Sequence, residues 1–269
     1  MVIRTWNLFH GNTKPPGRRA YLDELVRLAS NDRPDVLCLQ EVPVWALAHL
    51  REWSRMQSFG AVAARPMLGP LPSTAGVGRA VTTLNHGLFR SAFTGQANAV
   101  LVAPELRAHE AGSITLNTRA FRRAQSRWLG LDVVARLAWA KERRVCHAVR
   151  IWQGDGATAL VANLHATSYP PDERLPDAEV LRAATFATAL AEPDELCVLA
   201  GDFNVTARRS RTLADLMAPE WGFARPGPGI DHVLARGAGR ARVERWPDER
   251  RRAHGGLLSD HAPVELRIE

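Results

Sequence analysis

The chain has 269 residues, 46% hydrophobic and 23% charged, with a formal net charge of +7. That composition is ordinary for a globular protein and sufficient to bury a core without disulfides or a structural metal. No window of roughly eighteen uncharged apolar residues occurs, which excludes a transmembrane helix.

The positive charge asks for an anionic partner: nucleic acid, a phosphorylated metabolite or an acidic membrane surface. Lys14 and Lys141 are the only lysines, so the arginine excess also fits a compositional bias of the genome. Cys38, Cys146 and Cys197 each sit inside an apolar run and form no CxxC pair. They read as buried free thiols of a reducing compartment rather than zinc ligands. Met1 to Asn7 reads directly as a strand, without the features of a signal peptide. Taken as a natural start, it places the protein in the cytoplasm.

Short apolar, β-branched runs alternate with helical patterns, the signature of an α/β protein, and no linker or repeat divides it. We expect one domain over residues 1–269. The first strand is 2–8, followed by a Gly/Pro turn and a helix from Arg18 to Ser30. A buried strand follows at 35–41, then an amphipathic helix from Val44 to Met56. Later strands are expected at 97–102 and 145–152, with a turn at Asp155-Gly156 leading into 159–165. A helix from Asp177 to Ala191 leads to a strand at 196–200, and the last strands are 230–234 and 262–268. The arginine-rich stretch from Glu105 to Lys141 could form an extra helix or a surface loop.

Polar residues recur where these strands end: Asn7, Glu41, His165, Asp202 with Asn204, Asp231, and Asp260 with His261. Singly, each has a structural explanation, such as a turn, a cap or a satisfied core histidine. Jointly they describe one site, because strand ends on one sheet edge converge. Oxygen donors without cysteine suit a hard cation such as Mg²⁺ or Mn²⁺, which polarises a phosphoryl oxygen. A histidine oriented by a carboxylate handles protons or contacts the phosphate.

The segments Thr5-Trp6-Asn7, Leu39-Gln40-Glu41, Asn163-Leu164-His165, Gly201-Asp202-Phe203-Asn204, Ile230-Asp231-His232-Val233 and Ser259-Asp260-His261 resemble the ordered motifs of the endonuclease/exonuclease/phosphatase superfamily. That resemblance implies a two-sheet β-sandwich core flanked by helices, the four-layer α/β/β/α arrangement of deoxyribonuclease I. It implies Glu41 as main metal ligand, with Asn7 beside it and Asp260 in the metal shell. Asp202 would orient or activate the attacking water, Asn204 would hold the phosphate, and Asp231 would orient His261. His165 is the second histidine, with Glu142 as a candidate partner.

The abasic-site endonuclease pattern needs a mid-chain tyrosine that neither Tyr21 nor Tyr169 matches. His165 instead resembles the deoxyribonuclease and sphingomyelinase branch. Arg251 and Arg252, within Arg250-Arg251-Arg252, are candidate phosphate contacts or part of a solvated loop. The 119–127 arginines have the same two readings. Trp128, Trp139 and Trp246 could stack bases or pack in the core. The expected function is a Mg²⁺- or Mn²⁺-dependent phosphodiesterase acting on nucleic acid. The alternatives are a phosphoesterase for a small or lipid-linked phosphate and, from another class, a catalytically silent binder. No obligate protein partner is implied.

Overall fold

Alternation along the strands decides the architecture. The computed structural model describes residues 1–17, 19–68, 71–74, 76–80, 94–154, 156–224 and 227–269. Its strands are β1 (Val2–Asn7), β2 (Thr13–Lys14), β3 (Val36–Val42), β4 (Gln57–Ala64), β5 (Met67–Leu68), β6 (Leu71–Pro72), β7 (Gln96–Val102) and β8 (Arg107–Thr115). They continue as β9 (Val145–Trp152), β10 (Thr158–His165), β11 (Leu196–Asp202), β12 (Asp231–Arg236), β13 (Ala241–Arg245), β14 (Arg252–Ala253), β15 (Gly256–Leu258) and β16 (Val264–Ile268). The helices used below are α1 (Leu22–Ser30), α2 (Leu50–Ser54), α3 (Arg119–Trp128), α4 (Val133–Lys141), α5 (Arg174–Leu190) and α6 (Arg211–Leu216).

Two mixed sheets carry the core, ordered β13-β16-β1-β3-β7-β4 and β12-β11-β10-β9-β8. Each contains one parallel pair: β1 with β3, connected through α1, and β10 with β11, connected through α5. A parallel pair needs such a crossover, and the helix covers the sheet's outer face. Between the sheets, Ile3, Val36, Cys38 and Val100 meet Val149, Val161, Val198 and Val233. On one outer face, Trp6, Leu37 and Leu39 pack with Leu25, Val26 and Ala29 of α1. On the other, Leu160, Ala162 and Leu199 pack with Val180, Ala183 and Ala187 of α5 and Leu213 of α6. Strands buried on both faces explain the unbroken apolar runs, and the layers are those expected, helix–sheet–sheet–helix.

The sequence-based elements shift in places. The expected 44–56 helix is a 3-10 turn, Val44–His49, followed by the short α2. Arg55 ends it in a left-handed conformation at φ 60°. Strand β4 was not expected; its half-exposed pattern and Gly60 hide it from a periodicity count. The 105–141 stretch resolves into β8, α3 and α4. Thr118 caps α3 by accepting from the Phe121 N–H, and Asp132 caps α4 by accepting from that of Ala135 at 2.7 Å. The first helix is observed from Leu22, and Arg18 and Asp155 lie outside the described residues.

The β1 to β16 seam buries a charged cluster. Arg4 is fully buried, pairs with Asp32 at 2.7 Å and also grips Glu265. Burial alone would raise the Asp32 carboxyl, but hydrogen bonds from Arg4 and Arg250 bring it down to about 2. A depressed carboxyl stabilises the fold above its ordinary value of 3.8 and loses that effect as pH falls towards about 2. Asp32 is a third exposed, so we expect Asp32→Asn to cost only about 1 kcal/mol at pH 7. In urea melts, the gap from wild type should close as pH drops through the carboxylate range.

Candidate active site

The inward-facing positions of the inner core continue, at one edge of both sheets, as polar residues. Ile3 leads to Thr5 and Asn7, Cys38 to Gln40, Val161 to Asn163 and His165, and Ala200 to Asp202. On the antiparallel strands the same parity runs backwards, from Val100 to Asn98 and Gln96, and from Val233 to Asp231. Just inside this edge, Gln40 Nε2 donates to Asn163 Oδ1 at 2.7 Å and to Thr5 Oγ1 at 2.9 Å. Asn163 Nδ2 donates to the Leu39 and Ala99 carbonyls. These two motif amides therefore fasten one sheet to the other.

Glu41 is a special case. Strict alternation would place it beside Leu39, facing outward. The β3–β7 register slips between Leu39 and Val42, and Glu41 takes φ 52°. As the extra residue of a bulge, its side chain turns into the site, with Oε2 3.4 Å from His10 Nε2 and Oε1 4.0 Å from His165 Nε2.

Asp202 is the focus. Its Oδ2 accepts from Asn7 Nδ2 at 3.0 Å and lies 3.4 Å from His165 Nε2 and 3.9 Å from His261 Nε2. Its Oδ1 accepts from the Asn204 N–H at 3.1 Å. Asn204 sits at φ 53° and donates its side-chain amide to the Ala166 carbonyl. His261 Nδ1 is held by both oxygens of Asp231, at 3.0 and 2.9 Å. Ser259 anchors that loop, donating its hydroxyl to the Asn7 carbonyl and accepting from the His261 N–H.

The surroundings set opposite protonation states for the two histidines. Burial and the neighbouring Arg144 hold His165 well below its ordinary value, so it is neutral. Burial also opposes charge on His261, but Asp202 and Asp231 outweigh it and push it up to about 10. Burial raises Asp202 to about 7, with Asp231 and Glu41 adding to the effect, while His261 and Asn7 act against it. Glu41 is also raised, chiefly by burial.

Every strand-end residue singled out from the sequence reaches this edge. Glu142 does not reach His165. Its Oε2 accepts from Arg144 Nη2 at 2.7 Å, and Arg144 Nη1 stands 3.0 Å from the His165 ring nitrogens. Sequence reasoning missed Arg144, His10 and Gln96, whose Nε2 lies 3.0 Å from His165 Nδ1. Gln96 was findable from its parity with Val100; His10 carried no signal.

The arginine run before Asp260 is not one surface. Arg251 is buried and donates to the Leu258, Ser259 and His261 carbonyls and to Asp248. It holds the Asp260-His261 loop in place and has no face for a phosphate. Arg252 is exposed, whereas Arg250 lies on Trp246 and pairs with Asp32. Arg251→Ala should therefore cost about 2–4 kcal/mol and lower the melting temperature. An unchanged melt with weakened substrate binding would reverse that assignment. Of the three tryptophans, Trp139 and Trp246 are buried and Trp128 is exposed.

Among the described residues, two groups could hold a cation. Asp202, Asp231 and His261 offer donor atoms within 4.8 Å of one another. Both Asp231 oxygens already hold His261 Nδ1, which leaves that group short of free donors. Glu41 with Asp260 fits better: one carboxylate is raised by burial, and the other has a buried oxygen, Oδ1, without a hydrogen-bond partner. Two close carboxylates beside the Asn7 amide suit a hard, oxygen-seeking cation.

A family model described as the endonuclease/exonuclease/phosphatase family matches residues 5–261. No curated protein matches the sequence. Among solved structures, an endonuclease/exonuclease/phosphatase of Beutenbergia cavernae is 16% identical, with a TM-score of 0.64 over 100% of this chain and 71% of that one. A mannosyl-6-phosphatase of Bacteroides thetaiotaomicron is 14% identical, with a TM-score of 0.62 over 100% and 99% of the two chains. A humanized D. rerio TDP2 is 14% identical, with a TM-score of 0.60 over 99% and 97%. With these folds in common and the family model spanning nearly the whole chain, the protein belongs to the endonuclease/exonuclease/phosphatase family.

Proposed function

We propose that the protein is a divalent-metal-dependent phosphoesterase that cleaves phosphodiesters of nucleic acid by attack of water. The observation that carries the reading is the Asp202 carboxylate, set between the Asn7 amide and two histidines in opposite protonation states. Glu41, Asp260 and Asn7 would hold Mg²⁺ or Mn²⁺, the dependence typical of this family. When bound, that cation polarises the phosphoryl group and offsets charge on the departing oxygen.

The chain's own groups supply the rest. Asp202, near neutrality in its proton affinity, is suited to take a proton from the attacking water. Protonated His261, fixed by Asp231, donates to a phosphoryl oxygen. Neutral His165, its Nδ1 facing the Gln96 and Arg144 donors, orients the water. Asn204, whose N–H donates to Asp202, would hold the phosphate. Exposed Arg252 and the net charge of +7 suit a polyanionic substrate.

A second reading, a small or lipid-linked phosphate, draws on the mannosyl-6-phosphatase likeness and on an apolar surface beside the site, described below. The test is turnover of plasmid, single-stranded DNA, RNA, a generic diester and a monoester panel. Each is run with Mg²⁺, Mn²⁺ or chelator and with Asp202→Ala. Metal-dependent cleavage of nucleic acid, absent in the variant, supports the first reading. Intact nucleic acid with turnover of a small ester replaces it with the second. Turnover of nothing would favour a binder.

A further inference from the structure

Helices α3 and α4 form a hairpin between β8 and β9, and several large apolar side chains stand exposed on it among its arginines. Trp128 is 82% exposed, Val133 60%, Val134 65% and Leu137 67%. The inner face is well seated. Leu131, Ala135 and Trp139 pack with Leu175, and Trp139 Nε1 donates to buried Glu179. Helix α4 therefore carries Val133, Val134 and Leu137 on its exposed side, beside Arg136 and Lys141, as well as apolar residues on its covered one. A surface helix ordinarily turns a polar face outward, so the exposed side calls for a partner.

Charge says what kind. Residues 119–141 carry Arg119, Arg122, Arg123, Arg127, Arg136 and Lys141 against a single acid, Asp132. Apolar side chains at a tip, flanked by cations, suit an interface whose surface is anionic and whose interior is hydrocarbon. Nucleic acid would use Trp128 and the arginines but has no use for Val133, Val134 and Leu137.

We propose that the α3–α4 hairpin docks the protein on an anionic lipid bilayer, with Trp128, Val133, Val134 and Leu137 entering the interface. The hairpin lies at the catalytic edge. Asn163 pairs with His147 and Leu164 with Cys146, so the start of β9 adjoins the end of β10. Arg144, three residues past α4, touches His165. Docking thus holds the site's mouth near the headgroup plane. It requires no turnover, so Asp202→Ala protein docks like wild type, and failure of the catalytic reading leaves this one standing.

The test is flotation with phosphatidylcholine vesicles, with and without phosphatidylglycerol. A second readout uses an environment-sensitive dye on Val134→Cys, with Ala241→Cys on β13 as control at the opposite sheet edge. The native thiols are fully buried and leave the label specific. We expect binding only with the anionic lipid, weakened by salt, and a blue shift at 134 but not at 241. Trp128→Ala/Leu137→Asp, both at exposed positions, should fold normally and bind about tenfold or more weakly. No vesicle binding, or equal binding by the double variant, overturns the proposal. So does a dimer or oligonucleotide complex that depends on these residues while vesicles are ignored.

Discussion

Asp231→Asn should lower kcat by about 10²- to 10⁴-fold in the presence of metal, the range for losing a positioned proton donor or acceptor. Asparagine can still accept a hydrogen bond from His261 Nδ1, so the ring can stay in place. What it removes is one of the three carboxylate charges, Asp202, Asp231 and Asp260, that hold His261 protonated against burial, at about 10. If the protonated ring contacts the phosphate, activity persists up to the histidine's value and falls above it. The alkaline limb of kcat/KM should then move to lower pH in Asp231→Asn. An imidazole acting as base would give the opposite sign, with activity rising through that value. A limb that does not move would take His261 out of the profile altogether. Stability carries the same sign. A histidine raised above its ordinary 6.5 stabilises the fold fully below that value and loses the effect as pH rises through about 10. Asp231→Asn should therefore melt earlier at pH 7, and the difference should shrink at alkaline pH.

The catalytic edge was legible because it breaks a pattern. The central strands carry apolar inward faces, and a polar residue closing such a face stands out: Asn7, His165, Asp202 and Asp231 were found this way. Glu41 was found for a reason the structure amends. It follows an apolar run, but parity alone would point it outward, and a bulge reverses that. Gln96 went unread because the strand was taken to begin at Ala97. Arg144 precedes β9, and nothing in the sequence tells its contact with His165 from ordinary solvation. Arg251 shows the opposite error. A run of three arginines reads as one charged surface, yet loop carbonyls and Asp248 claim the middle one. The 105–141 stretch was opaque because β8 is a half-exposed edge strand and α4 mixes apolar residues into its exposed side. Their signals, the capping Thr118 and Asp132, were local and easily lost among arginines.

Gly201→Ala should leave little or no folded protein. In the Gly-Asp-Phe-Asn motif this residue has φ 142°, a region open to glycine and strained for other residues. A Cβ built there would lie 1.9 Å from the Leu164 carbonyl oxygen. That oxygen belongs to the parallel β10–β11 ladder, where Leu164 is paired with Gly201 itself. Relief would require separating two central strands, and Asp202 and His165 are the next residues along each. The cost should exceed about 4 kcal/mol, enough to unfold a domain of ordinary stability. Gly130→Ala separates the two causes. It too has a positive φ, 60°, but a Cβ there meets nothing within 4 Å. Strain without a clash should cost only about 1 kcal/mol, with activity kept. Circular dichroism and thermal melts of the two variants distinguish the cases. If Gly201→Ala melts like Gly130→Ala, the strands can part at little cost, and the glycine serves only backbone conformation. If it fails to fold while Gly130→Ala behaves, the close approach of β10 and β11 fixes Asp202 against His165, and the motif's glycine is a requirement of the site's geometry.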